Sequence, residues 1–125
     1  MEKQLIEMFI RLVVPGEILT HFEVSGIQDF ADRTEIALTE KEDLIPPVLR
    51  DKTAVLNGYW NAIELQTFPQ QGKSCYLKLR RRKWKEAGGS ESYGNNYHYH
   101  IDGTKATRDF GAFLKEKIRY PAAKF

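Results

Sequence analysis

The chain has 125 residues, 42% hydrophobic and 29% charged, with a net charge of +2. That size and balance suit a globular domain that buries its own core, and exclude a disordered polar chain. A single cysteine, Cys75, excludes an internal disulfide and a four-cysteine zinc site, and no apolar run is long enough to span a bilayer.

Divided in two, the chain is less neutral. Residues 1–70 hold twelve acids and six bases, whereas residues 71–125 hold thirteen bases and five acids. Such asymmetry points to a polyanionic partner for the second half, or to basic and acidic strands paired within the fold. The opening MEKQLIEMFIRLVV mixes charges with apolar residues and lacks a secretory h-region, so a cytoplasmic location is expected.

In chain order, Leu5, Met8, Phe9, Leu12 and Val13 recur at three- and four-residue steps. They predict an amphipathic helix over 1–14 with these residues packed in the core. Pro15-Gly16 breaks it and starts a short second helix over 16–22. Residues 22–30 and 35–39 read as two strands joined by a turn at 31–33. The charged, Pro46-Pro47-containing stretch 40–58 reads as a loop with room for one helical turn. Residues 61–68 form a third strand, Pro69-Gln70-Gln71-Gly72 a turn, and residues 74–84 a fourth strand completing a hairpin. A Gly- and Ser-rich loop follows, then a short strand over 97–101 and a turn at Asp102-Gly103. A final helix over 107–119 is capped by Thr107, with Phe110, Phe113, Leu114 and Ile118 inward. The expected fold is α+β: an antiparallel sheet of about four strands covered on one face by N- and C-terminal helices. It forms one domain over 1–120 with a frayed tail at 121–125.

The densest chemistry lies in Tyr76-Leu77-Lys78-Leu79-Arg80-Arg81-Arg82-Lys83-Trp84. Strand alternation turns Leu77 and Leu79 to the core and sets Tyr76, Lys78, Arg80, Arg82 and Trp84 on the opposite face. Cations there can neutralise phosphates, and arginine forks can reach base edges. The aromatics can stack on an unpaired base or pack beneath the arginines. The DNA-contacting set is therefore Tyr76, Lys78, Arg80, Arg81, Arg82, Lys83, Trp84 and Lys85. The bland alternative is a solvated edge strand. His98-Tyr99-His100 places two histidines on one side of a strand. With a tyrosine from Tyr93, Tyr97 or Tyr120 it could build a metal-dependent single-strand nicking site, but a motif this short has low specificity. His98 and His100 are the weak metal candidates, and no cofactor is expected. Cys75 has no neighbour suited to activate it and reads as a packed thiol.

The segment GYWNAIELQTFPQQGKSCYLKLRRRKW, residues 58–84, resembles the N-terminal region of a group of bacterial insertion-sequence transposases. In that group the region is often a short separate frame ahead of the catalytic one. GTKATRDFGAFLKEKI, and the Leu-Val-Val-Pro-Gly-Glu-Ile-Leu near the start, are similar to the same family. The resemblance implies double-stranded DNA at the element's terminal repeats as one partner and a catalytic transposase polypeptide as another. Catalysis then belongs to that second chain and not to this one. More distant transposases follow a similar hairpin with a four-cysteine zinc knuckle. Here Lys85-Glu86-Ala87-Gly88-Gly89 follows Trp84, so any DNA contact must rest on the packing of the hairpin itself. The alternative is an interaction module whose acidic first half docks on the catalytic chain.

Overall fold

The computed structural model describes residues 2–99 and 105–119. His100, Ile101, the Asp102-Gly103 turn, Tyr120 and the tail, together with the side chain of Ile118, lie outside what is described. The first helix, α1 (Glu2–Val13), ends where Pro15 offers no N–H and disfavours a helical residue before it. Pro15, at φ −54° and ψ 138°, then opens the single turn of α2 (Gly16–Leu19). Its carbonyl accepts hydrogen bonds from Ile18 N and Leu19 N at 3.0 and 3.3 Å. The second helix stops earlier than its apolar spacing suggests, because Phe22 starts a strand.

That strand, β1 (Phe22–Asp29), pairs antiparallel with β2 (Arg33–Glu40). A bulge near Ser25 shifts the register, and Ser25 Oγ donates to the Ala37 carbonyl at 3.2 Å. The second hairpin joins β4 (Ile63–Gln70) to β5 (Lys73–Arg80). Its two turn residues, Gln71 and Gly72, both have positive φ, 51° and 77°, as a two-residue primed turn requires. Pro69 is therefore in β4, at the register shift between Thr67 and Gln70, where a missing ladder donor does no harm.

The two hairpins join side by side in the order β1-β2-β5-β4, so the central pair, β2 and β5, is parallel. The sheet is thus mixed, whereas the sequence led us to expect an antiparallel one. Thirty-two residues separate β2 from β5, and a crossover of that length permits parallel pairing. Part of this connection is itself regular. After a 3₁₀ turn (Pro47–Leu49) comes β3 (Ala54–Tyr59), within the stretch expected to be a loop. It pairs antiparallel with β6 (Arg82–Glu86) in a separate two-stranded sheet. The expected continuous strand over 74–84 is therefore two strands in two sheets, interrupted at Arg81.

The core lies on one face of the larger sheet. Leu38, Leu77, Leu79 and Cys75 have no exposed surface, and Phe22, Ile36 and Leu65 join them. Val14, Ile18 and the residues around Tyr97 and Tyr99 cover them. Tyr97 and Tyr99 stack with ring centres 5.4 Å apart, yet residues 97–99 form no strand. The helix α3 (Arg108–Arg119) sits at the β4 edge, where residues 105–107 pair with Gln66 and so cover the unpaired edge. Arg108 reaches Glu17 of α2 at 3.5 Å. Thr107 is buried, and its hydroxyl donates to Thr67 Oγ1 at 3.5 Å. Phe110 is buried as expected, whereas Phe113 is 42% exposed, with its ring beside those of Phe68 and Phe110. The larger departure is α1: Val13 and Ile10 pack partly buried against the core, but Leu5, Met8, Phe9 and Leu12 are exposed and none of its residues is fully buried. No helix among the described residues is long and apolar enough to cross a membrane.

Candidate nucleic-acid interface

The basic block is arranged by the junction between the two sheets. At the end of β2, Glu40 is wholly buried. Its carboxylate accepts from Arg82 N at 2.9 Å, from Asn95 Nδ2 at 3.0 Å and from the Tyr97 hydroxyl. Its carbonyl accepts from Arg82 Nε at 2.8 Å. A buried carboxylate is tolerated when donors surround it in this way. This anchor fixes where β6 departs from β5, and Trp60 N donating to the Arg81 carbonyl at 3.0 Å holds β3 to the same junction.

Consecutive residues in extended chain point to opposite sides, and two consecutive aromatics, Tyr59 and Trp60, use this to sort the cations. Arg80 lies over the Tyr59 ring at 3.8 Å, with Arg82 at 5.7 Å. Lys83 lies over Trp60 at 4.7 Å, with Arg81 at 5.8 Å. The even-numbered cations gather on the tyrosine and the odd-numbered ones on the tryptophan. Each contact is worth about 0.5–1 kcal/mol at an exposed site. The rings therefore lie beneath the cations and hold them in place, leaving less of their faces for a base. Gly58, at φ 85°, opens this aromatic pair, and Gly94 lets the chain pass the Trp60 indole, where an added Cβ would fall 2.4 Å from Nε1.

The cations differ in their other bonds. Arg80 is exposed and donates to Thr39 Oγ1 at 3.3 Å. Arg81 is half-buried and donates to the Asn95 carbonyl and Asn96 Oδ1 at 3.0 and 3.2 Å. Lys85 is half-buried opposite Val55. Among the described residues, none of Arg80, Arg81, Arg82, Lys83 and Lys85 forms an ion pair with a carboxylate. The cluster also holds three buried N–H groups without an acceptor among the described residues, Trp60 Nε1, Arg81 Nε and Trp84 Nε1. It is rich in donors throughout.

Two members of the expected set stand apart. Lys78 does face outward with Tyr76, but it pairs with Glu64 on β4. Tyr76 lies between Glu35 and Gln66, and Glu35 pairs with Arg33 at 2.8 Å. The outer face of β5 is thus charge-balanced. Trp84 does not join that face at all. It is 7% exposed, opposite Leu56, and exchanges both backbone hydrogen bonds with Tyr93 at 2.7 and 2.8 Å. The break at Arg81 moves it into the second sheet's interior, so it acts as a packing residue. Tyr59 and Trp60 are the residues the site-by-site reading missed. Their signal was the Gly58-Tyr59-Trp60 triplet, whose use depends on β3 pairing with β6.

At the histidine triplet, His98 is exposed, and its carbonyl accepts from Arg108. His100 lies outside the described residues. The Tyr97 hydroxyl donates to Glu40, and the Tyr99 hydroxyl shares a 2.7 Å hydrogen bond with His21 Nδ1. Burial, reinforced by Glu40 for Tyr97 and by Glu17 and Glu40 for Tyr99, pushes both phenols well above their ordinary range. Tyr93 is also raised, chiefly by its hydrogen bond to Glu91. Cys75 is buried, and desolvation raises its thiol pKa too. No cluster of three potential metal ligands occurs among the described residues. No protein-family model, curated protein or solved structure matches the chain.

Proposed function

We propose that the chain is a DNA-binding region of an insertion-sequence transposase, acting in the cytoplasm and contacting the element's ends through Arg80, Arg81, Arg82 and Lys83. One observation carries this reading. Four consecutive cations are held on two consecutive aromatic rings, and among the described residues none of them forms an ion pair with a carboxylate. Within it, Arg80 and Lys83 make the phosphate contacts, since Arg81 and Arg82 also bind backbone carbonyls. Lys78 contributes little because Glu64 occupies it. The sequence resemblance supplies the element ends as the target and a separate polypeptide as the catalyst. The chain has no catalytic role in this reading.

The test is fluorescence anisotropy with a terminal-repeat duplex and a scrambled control across a salt series. Preference for the repeat is expected. Arg80→Ala combined with Lys83→Ala should flatten the log–log salt slope by about two phosphate equivalents, and Lys78→Ala should leave it nearly unchanged. An unaltered slope in the double variant removes both residues from the interface. Equal, weak binding to both duplexes favours docking on the catalytic chain.

A further inference from the structure

We propose that the face carrying α1 is where two copies of this chain associate. The apolar spacing of α1 is that of a core helix, yet Leu5, Ile6, Met8, Phe9 and Leu12 are between 50% and 80% exposed. Beside them Ile27, on β1, is 61% exposed. The open areas of these six side chains amount to roughly 700 Å² per chain. That exceeds the ~300–600 Å² of the largest patch on an ordinary monomer and approaches the ~800 Å² each partner gives to a stable interface.

The surface has the shape that self-association needs. Leu5, Met8 and Leu12 form a ridge along the outer side of α1. Next to it runs a groove of about 370 Å³ between the helix and the sheet, lined only by apolar side chains, among them Ile6, Phe9, Val13, Val24, Ile27 and Ile36. A two-fold axis can seat the ridge of each copy in the groove of the other, the isologous arrangement in which one patch serves both partners. The charges of α1 do not oppose it. Lys3, Glu7 and Arg11 follow one another at four-residue steps on a different side of the helix, and Glu7 and Arg11 border a separate hollow with Glu23 and Lys41. Glu2, one turn before Ile6, shares the groove side of α1 but lies exposed in the helix's first turn, at the margin of the patch. The patch offers no charge that would select a nucleic acid or an acidic peptide.

The test is sedimentation equilibrium of the full chain from sub-micromolar to hundreds of micromolar concentration. A monomer–dimer equilibrium is expected, with a thermal midpoint that rises with protein concentration. Phe9→Glu and Leu12→Glu should each weaken association at least tenfold and abolish that concentration dependence, with the circular dichroism spectrum unchanged. If Phe9→Glu disturbs the fold, Leu12→Glu still reads the surface, because that side chain is 80% exposed. A wild-type chain that stays monomeric at every concentration overturns the proposal. So does a dimer that survives Leu12→Glu, or a monomer that instead uses α1 to bind the catalytic chain.

Discussion

Glu40 concentrates more of the structure than any other single side chain. It reads in the sequence as the first residue of a charged loop, yet it closes β2 and receives donors from β6 and from the segment at Asn95 and Tyr97. Removing it takes their acceptor from Arg82 N and the Tyr97 hydroxyl, both part-buried, while Asn95 keeps the Leu44 carbonyl; donors left unpaired are the costly half of a hydrogen-bond deletion. Glu40→Ala should lower stability by about 3 kcal/mol, measured as a shift in urea midpoint at constant m-value. A loss within the ~0.5 kcal/mol scatter of surface substitutions would show that the network is not maintained in solution. Tyr97 and Tyr99 give a second test at this scale. Their folded-state pKa values lie above the ordinary 10, so the native state holds these protons more tightly than the unfolded chain. Their contribution to stability is complete below pH 10 and is lost as pH rises beyond it. In an alkaline titration followed by tyrosinate absorbance, Tyr97→Phe with Tyr99→Phe should remove the late component. An unchanged late component would mean that both phenols are open to solvent.

Among the elements, the β4–β5 hairpin was the most legible. Pro, Gly and alternating hydrophobicity marked both strands and the turn. The turn moved, because Gln71 rather than Pro69 takes a central place, and the strands moved with it to Ile63–Gln70 and Lys73–Arg80. A non-glycine residue at φ 51° is strained, by about 1 kcal/mol for a residue without asparagine's tolerance of that region. Gln71→Asn should therefore stabilise the chain by up to ~1 kcal/mol, seen as a thermal midpoint higher by several degrees. A lower midpoint would mean that Gln71 makes contacts outweighing the strain. The element reading failed at β3, whose charged and Pro-rich approach resembles a loop. It also failed at the 74–84 strand, where alternation continues through Arg81 although the pairing partner changes. Local periodicity is blind to a change of partner. For the same reason Tyr76 and Lys78 were correctly turned away from the core, while Trp84 was assigned to an open face from which the strand break removes it.

For the whole molecule, the charge asymmetry divides into two parts. Some acids of the first half neutralise bases of the second: Asp29 with Lys73, Glu64 with Lys78, and Glu17 with Arg108. This is the internal pairing that a basic strand beside acidic ones predicts. The remainder, the cations of Arg80 to Lys85, lies at the junction of the two sheets without such partners among the described residues, and it is this remainder on which the proposed DNA contact depends. The composition announced a surplus of positive charge but could not say which cations were spent inside the fold. The same holds for the hydrophobic surplus of α1, where the spacing matches a buried helix but Val14, Ile18 and the stacked tyrosines cover the centre of the core face, leaving α1 beside a groove along Val24, Ile27 and Ile36.

The sequence by itself determined the kinds of element, most of their limits, the α+β class, and which face of β5 is apolar. Those properties follow from residue spacing within a few turns or strand steps. Tertiary structure alone decided that β2 and β5 run parallel, that β3 exists and claims β6, that Tyr59 and Trp60 carry the cations, and that α1 keeps its apolar face outside. Each of these is a choice of neighbour between segments far apart in the chain. Periodicity states which way a side chain faces and is silent about what it will meet.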